Sequence, residues 1–163
     1  MKVAIFLGSA SDKDVAKEAV QVFKDFKVDY SLEVTSAHRS PERTVGLVSQ
    51  CEEKGCLIFI AVAGKAAHLA GVVAAHTLYP VIGVPVPGGA VAGMDALLST
   101  AQMPKGVPVA CMGLGKSGAA NAALLAVQIL SLQDNGLKSS LKAYRKKMAE
   151  DVEESSKKTK EMF

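Results

Sequence analysis

Tryptophan is absent from this chain and aromatic residues make up only 5% of it, so its apolar surplus consists of small aliphatic side chains. Also missing is any apolar run near the roughly 18 residues a membrane-spanning helix requires, and no membrane partner is expected. The N-terminal run Val3–Leu7 ends at Gly8-Ser9, too soon for a secretory signal. It reads instead as the first strand of a cytoplasmic protein. Cysteine is scarce: Cys51, Cys56 and Cys111 fit neither a metal-ligand spacing nor a disulfide framework, and are expected as reduced thiols. No cluster of His, Cys and carboxylates suggests a metal. Charge of one sign is lacking too: a formal net charge of +3, evenly spread, argues against a nucleic-acid partner.

What is present is a chain of 163 residues, 49% hydrophobic before its 14 glycines are added. That length predicts one domain with a sizeable core. The aliphatic excess suggests faces buried against further subunits as well.

The most informative stretch is Ser36-Ala37-His38-Arg39-Ser40-Pro41-Glu42. It follows an alternating run, Tyr30 to Val34, that reads as a strand with one wet face. It precedes a helical pattern with Ser40 as N-cap and Pro41 as first residue. A hydroxyl, an imidazole and a guanidinium therefore sit where a strand gives way to a helix, and open parallel sheets bind their ligands at such exits. The imidazole can exchange protons near neutral pH, and Arg39 can fork onto phosphate or carboxylate. Alone, such a tetrad is more often plain solvated surface; here further loops of the same kind accompany it.

The first of these is Gly8-Ser9-Ala10-Ser11-Asp12, between strand Val3–Leu7 and a helix carrying Val15, Ala19, Val22, Phe23 and Phe26. Hydroxyls and free N–H groups at such a turn make a phosphate or hydroxyl site, whereas capping alone would explain only one of them. The second strand is expected over Val28 to Thr35. The helix from Pro41 to about Lys54 should turn Val45, Val48 and Cys51 inward and stop at Gly55. Leu57–Ala63 is unbroken apolar sequence, the mark of a central strand covered on both faces. It runs into Gly64-Lys65-Ala66-Ala67-His68, small residues that let backbone approach a ligand, with His76 later on the same predicted helix. Pro80–Val86 and Val107–Met112 read as the fourth and fifth strands, Pro108 placing the last at an edge. A short helix is expected near Met94–Thr100, and a helix apolar nearly all round from Gly118 to Leu132. From Lys138 the sequence turns into a charged amphipathic helix, lying across a neighbour or free in solvent. Five strands alternating with helices predict a three-layer α/β protein with a parallel five-stranded sheet and a C-terminal helical extension at 138–163.

Ala110 to Ser117 fits a relaxed P-loop pattern. It is rejected as a nucleotide-hydrolysing site, because only helical sequence follows it and no strand-end Asp is left to hold magnesium.

The remaining polar loops, in order along essentially the whole chain, resemble the PurE family of purine biosynthesis. The residues that carry the resemblance are Gly8–Asp12, Ser36–Pro41, Ala63–Leu69, Gly83–Val86, Asp95–Ser99, Gln102-Met103-Pro104 and Asn121–Ala126. The resemblance implies a single PurE-like domain over 1–163 with a flavodoxin-like fold, assembled as a homo-octamer, with no metal or organic cofactor. It implies a ribonucleotide substrate held by Ser9, Asp12 and Arg39, with Ser36 close by and His38 as general acid and base. The Ala63–His68 wall, including Gly64, Lys65 and His68, would enclose CO2. One branch of the family moves a carboxylate from N5 of carboxyaminoimidazole ribonucleotide to C4; the other carboxylates aminoimidazole ribonucleotide directly with CO2. The first branch usually has Gly at Lys65, Pro at Ala70 and often Trp at Lys13. The second typically has a basic residue at Lys65, but usually lacks His68 and often has Lys at Arg39. The balance favours the first, the mutase. A non-catalytic binder of a phosphorylated ligand, for which His38 would be dispensable, and an oligomeric scaffold are the alternatives.

Overall fold

A computed structural model describes all residues, 1–163. Its elements in chain order are β1 (Val3–Leu7), α1 (Lys13–Asp25), β2 (Tyr30–Val34), α2 (Pro41–Glu53), β3 (Ile58–Gly64) and α3 (Leu69–Ala74). They continue with β4 (Val81–Val86), α4 (Met94–Ala101), β5 (Ala110–Cys111), α5 (Gly115–Leu130) and α6 (Asn135–Lys160). The strands form one parallel sheet in the order β2-β1-β3-β4-β5, the flavodoxin-like arrangement.

The apolar character of β1 and β3 dictates their central place. All five residues of β1, and all of β3 before Gly64, are buried, which only a strand covered on both faces allows. Alternation along the strands divides their side chains between two layers. Ala4, Phe6, Phe59, Ala61 and Ala63 pack with Leu47, Val48 and Cys51 of α2, Leu69, Ala70 and Val73 of α3, and Ala96 of α4. Val3, Ile5, Leu7, Ile58, Ile60 and Val62 are left for the opposite face, and they too are buried.

Four details depart from expectation. In α2 the buried face is Thr44, Leu47, Val48 and Cys51, with Val45 only half-buried; the helix is rotated so that the Thr44 hydroxyl meets a buried partner, Thr35, at 2.8 Å. In β2 the wet face is the apolar one: Leu32 and Val34 are exposed, while only Tyr30 of that face is covered, by Phe23 of α1. Strand β5 shrinks to two residues, because Gly106 takes a left-handed φ of +104° and Pro108 offers no N–H to β4. Finally, α3 ends at Ala74, so His76 lies beyond it, exposed, with Nδ1 2.8 Å from the Val72 carbonyl oxygen.

Met1–Ala126 is one compact unit and Val127–Phe163 a second. In the second, Asp134 caps α6 by accepting from the N–H groups of Gly136 and Leu137, and no residue of α6 is buried. No helix of the chain is long and apolar enough to cross a membrane.

Candidate active site

In the order β2-β1-β3-β4-β5 the chain runs outward from β1 to β2 and then returns to β3, so the loops after β1 and β3 diverge and leave a crevice. A cavity of about 650 Å³ occupies that place, lined by residues that follow β1, β2, β3 and β4.

The wall after β1 is built by a reciprocal cap. Ser9 Oγ accepts from the Ser11 N–H, and the Asp12 carboxylate accepts from the Ser9 N–H at 3.0 Å and from the Ser11 hydroxyl at 3.3 Å. Asp12 is only 7% exposed, and burial raises its pKa above the ordinary 3.8 despite those hydrogen bonds. Between the unfolded and folded pKa values the folded chain binds more protons, so stability falls as pH rises through that window. The ionised carboxylate therefore costs stability at every pH above it. Asp12→Asn, which keeps an acceptor oxygen but no charge, should unfold at an equal or higher urea concentration at pH 7. Unfolding at lower urea would refute this account of Asp12.

The wall after β2 hangs on buried hydroxyls. Thr35, at the exit of β2, and Thr44, in α2, are 2% and 0% exposed and hydrogen-bond each other, tying strand to helix across the loop between them. Ser40 Oγ accepts from the Ser36 N–H and donates to the Ser36 carbonyl oxygen, so it closes the loop; it makes no cap bond to the helix N–H groups. On this support Arg39 is oriented by its own N–H and Nε donating to Ser36 Oγ, at 3.2 and 3.4 Å, and by Nη2 donating to the Gly8 carbonyl oxygen at 3.3 Å. The guanidinium thus bridges the first two walls.

His38 lies beside it. Its Nε2 is 2.9 Å from His68 Nδ1, with the rings edge to face at 86°. One nitrogen of that contact must donate and the other accept, which couples the tautomers of the two rings. No group of three or more His, Cys or carboxylate side chains comes together as a metal would need.

The wall after β3 approaches that after β4 closely. A methyl group on Gly64 would stand 3.4 Å from Val86 Cβ. Lys65 takes a left-handed φ of +57°, a conformation that costs a side-chain-bearing residue about 1 kcal/mol relative to Gly. The next turn is fastened by the Ala67 N–H donating to Ser99 Oγ at 3.0 Å, with Ser99 in turn donating to the Asp95 carbonyl oxygen. Pro87-Gly88-Gly89 completes the cavity.

Ser9, Asp12, Ser36, His38, Arg39, Gly64 and Lys65 all line this one cavity. His68 does not line it and reaches it only through His38. Sequence reasoning did not include Pro87-Gly88-Gly89 in the site; their position directly after the fourth strand was the available signal. The P-loop-like run has a packing role: Gly115 takes a φ of +73° beside Pro87, and the run lies outside the cavity lining.

An open parallel sheet with hydroxyls, an arginine and an imidazole at its switch point defines an α/β protein built to take a small anionic ligand. The family model for AIR carboxylase matches residues 2–151, and the chain belongs to that family. A Pyrococcus abyssi protein named N5-carboxyaminoimidazole ribonucleotide mutase is 53% identical over 147 residues, covering 90% of this chain and 83% of the relative. The Escherichia coli (strain K12) protein of the same name is 46% identical over 151 residues, covering 93% and 89%. The crystal structure of Treponema denticola PurE superposes with a TM-score of 0.86 at 32% identity, covering 96% of each chain.

Proposed function

We propose that this protein is an enzyme of purine biosynthesis that converts N5-carboxyaminoimidazole ribonucleotide into 4-carboxyaminoimidazole ribonucleotide. The observation that carries this reading is His38 on the wall of the same cavity as the anion clamp Arg39 and the hydroxyl-bearing Gly8–Asp12 turn. Names of relatives at 46–53% identity support it.

In this mechanism Arg39 and Ser9 take the phosphate, with Ser36 orienting the guanidinium, and Asp12 accepts from ribose hydroxyls. His38 gives a proton to N5; the N5–C bond breaks and CO2 leaves the carbamate. C4, made electron-rich by the freed amine, attacks the same CO2 and forms the C–C bond, and His38 takes up the proton that C4 sheds. The net change moves one carboxylate from nitrogen to carbon and one proton the other way, so no redox partner is consumed. The Gly64–Ala67 backbone closes over the CO2 while it is free. His68 orients the His38 ring, whose Nε2 it engages.

One observation favours a second reading, direct carboxylation of aminoimidazole ribonucleotide by CO2: a cation, Lys65, stands on the cavity wall. The mutase should turn over the carbamate without added bicarbonate and incorporate little labelled CO2 from solution. Turnover only with aminoimidazole ribonucleotide plus CO2 would select the second reading. The same reading includes a homo-octamer, supported by the exposed apolar side chains Leu32, Val34, Leu78, Tyr79, Met94 and Leu98, and a cytoplasmic location. Light scattering of the purified protein should give eight copies; a 17.0 kDa monomer would refute the assembly.

A further inference from the structure

We propose that the Lys65 ammonium holds the migrating carboxylate, and that this residue sets the preference of the site for carboxylated over uncarboxylated ribonucleotide. The inference rests on the ribonucleotide reading above and assigns the second anionic group of that ligand, after the phosphate.

The fixed charges on the cavity wall are Asp12, Arg39 and Lys65. Asp12 and Arg39 offset each other in formal charge, and in the reading above Arg39, oriented by Gly8 and Ser36, is taken by the phosphate. Lys65 has no ion pair or hydrogen bond within the protein. It is therefore the uncompensated fixed charge of the cavity.

An exposed lysine without a partner is ordinary; this one is distinguished by its backbone and its stem. Its φ of +57° is a conformation that glycine adopts more readily, so the lysine stands here against local backbone preference. The stem runs along the cavity wall: a methyl group on Gly89 would lie 3.9 Å from Lys65 Cγ. The same position would lie 3.9 Å from Asp95 Oδ2, the carboxylate on that side, whose Oδ1 accepts from the Ala96 N–H. Asp95 forms no ion pair with Lys65 and is not on the cavity wall. A ligand carboxylate entering beside Gly64 and Gly89 thus meets Lys65 as its cation.

The carboxylate is present in both substrate and product, so the cation binds both ground states and acts on affinity more than on turnover. A charge-assisted contact discounted for exposure corresponds to about tenfold in binding.

The test uses Lys65→Met, which keeps the stem and removes the charge. Calorimetry compares 4-carboxyaminoimidazole ribonucleotide with aminoimidazole ribonucleotide, which lacks the carboxylate. The expected result is about tenfold weaker binding of the carboxylated ligand, with the uncarboxylated one within twofold of the parent. The KM for the carbamate should rise by a similar factor while kcat stays within about threefold. Lys65→Gly, suited to the left-handed backbone, serves as the second variant should the Met variant fold poorly. Equal weakening of both ligands, or weakening of neither, overturns the inference. A parent protein that binds neither ribonucleotide would instead overturn the functional reading on which it rests.

Discussion

Replacing His38 with Asn should lower turnover by about 10²–10⁴-fold while leaving the fold and most of the nucleotide affinity in place. The size follows from the role proposed for the imidazole: it would give the proton that releases CO2 and take the proton that C4 sheds, and an amide side chain could do neither. Retention of the fold follows from exposure, since surface changes away from buried contacts stay within about 0.5 kcal/mol. Retention of affinity follows from the division of labour in the cavity, where Ser9, Asp12 and Arg39 are held by each other, by Gly8 and by Ser36, none of them through His38. Kinetics at saturating substrate, with a parallel binding titration, measure both parts. Turnover like the parent's would end the proton-shuttle mechanism and favour a binding protein. A matching collapse of affinity would make His38 a structural support of the loop.

The largest effect on stability is expected from Gly118→Ala. A methyl group there would overlap the Gly113 carbonyl oxygen and lie 2.7 Å from its carbon. The obstacle is backbone, and the backbone is fixed on both sides: the Met112 N–H donates to the Gly83 carbonyl oxygen at 2.9 Å, and Gly115 turns with a φ of +73° against Pro87. Room for the methyl requires α5 to shift away from this loop, although Ala119, Ala122, Ala123 and Ala126 are each 0% exposed. The cost should reach or exceed about 3 kcal/mol, the upper range of overpacking. Gly46→Ala is the matching control: it sits inside α2 with nothing within 4 Å of a new Cβ, and should stabilise by about 0.5–1 kcal/mol. Urea denaturation of the two variants beside the parent reads both signs. A Gly118→Ala protein as stable as the parent would mean that the close approach of α5 to this loop is absent in solution.

Local chemistry made much of the site legible. Hydroxyls, an imidazole and a guanidinium directly after an alternating run are a property of a few consecutive residues, and the same holds for Gly8–Asp12 and Gly64–Lys65 at their strand exits. The unbroken apolar run in β3 announces a strand covered on both faces, because no exposed face could carry it. Periodicity said less where a face is decided by a partner. It turned Val45 inward in α2, whereas the helix is rotated to bring Thr44 against Thr35. It also assigned β2 one dry face, whereas no helix covers Leu32 and Val34 at that edge of the sheet.

By itself, then, the sequence determined the order of strands and helices, the exits at which chemistry is displayed and the residue types displayed there. Each is encoded within a window of a few residues by side-chain pattern and turn chemistry. The tertiary structure alone decided which exits meet. His38 and His68 are 30 residues apart and touch because β1 lies between β2 and β3, leaving their loops facing one crevice. The Ser99 hydroxyl reaches the Ala67 N–H across 32 residues, and Arg39 reaches the Gly8 carbonyl across 31. Contacts of that separation depend on strand order and layer packing, which are settled by the competition of all apolar faces for one core.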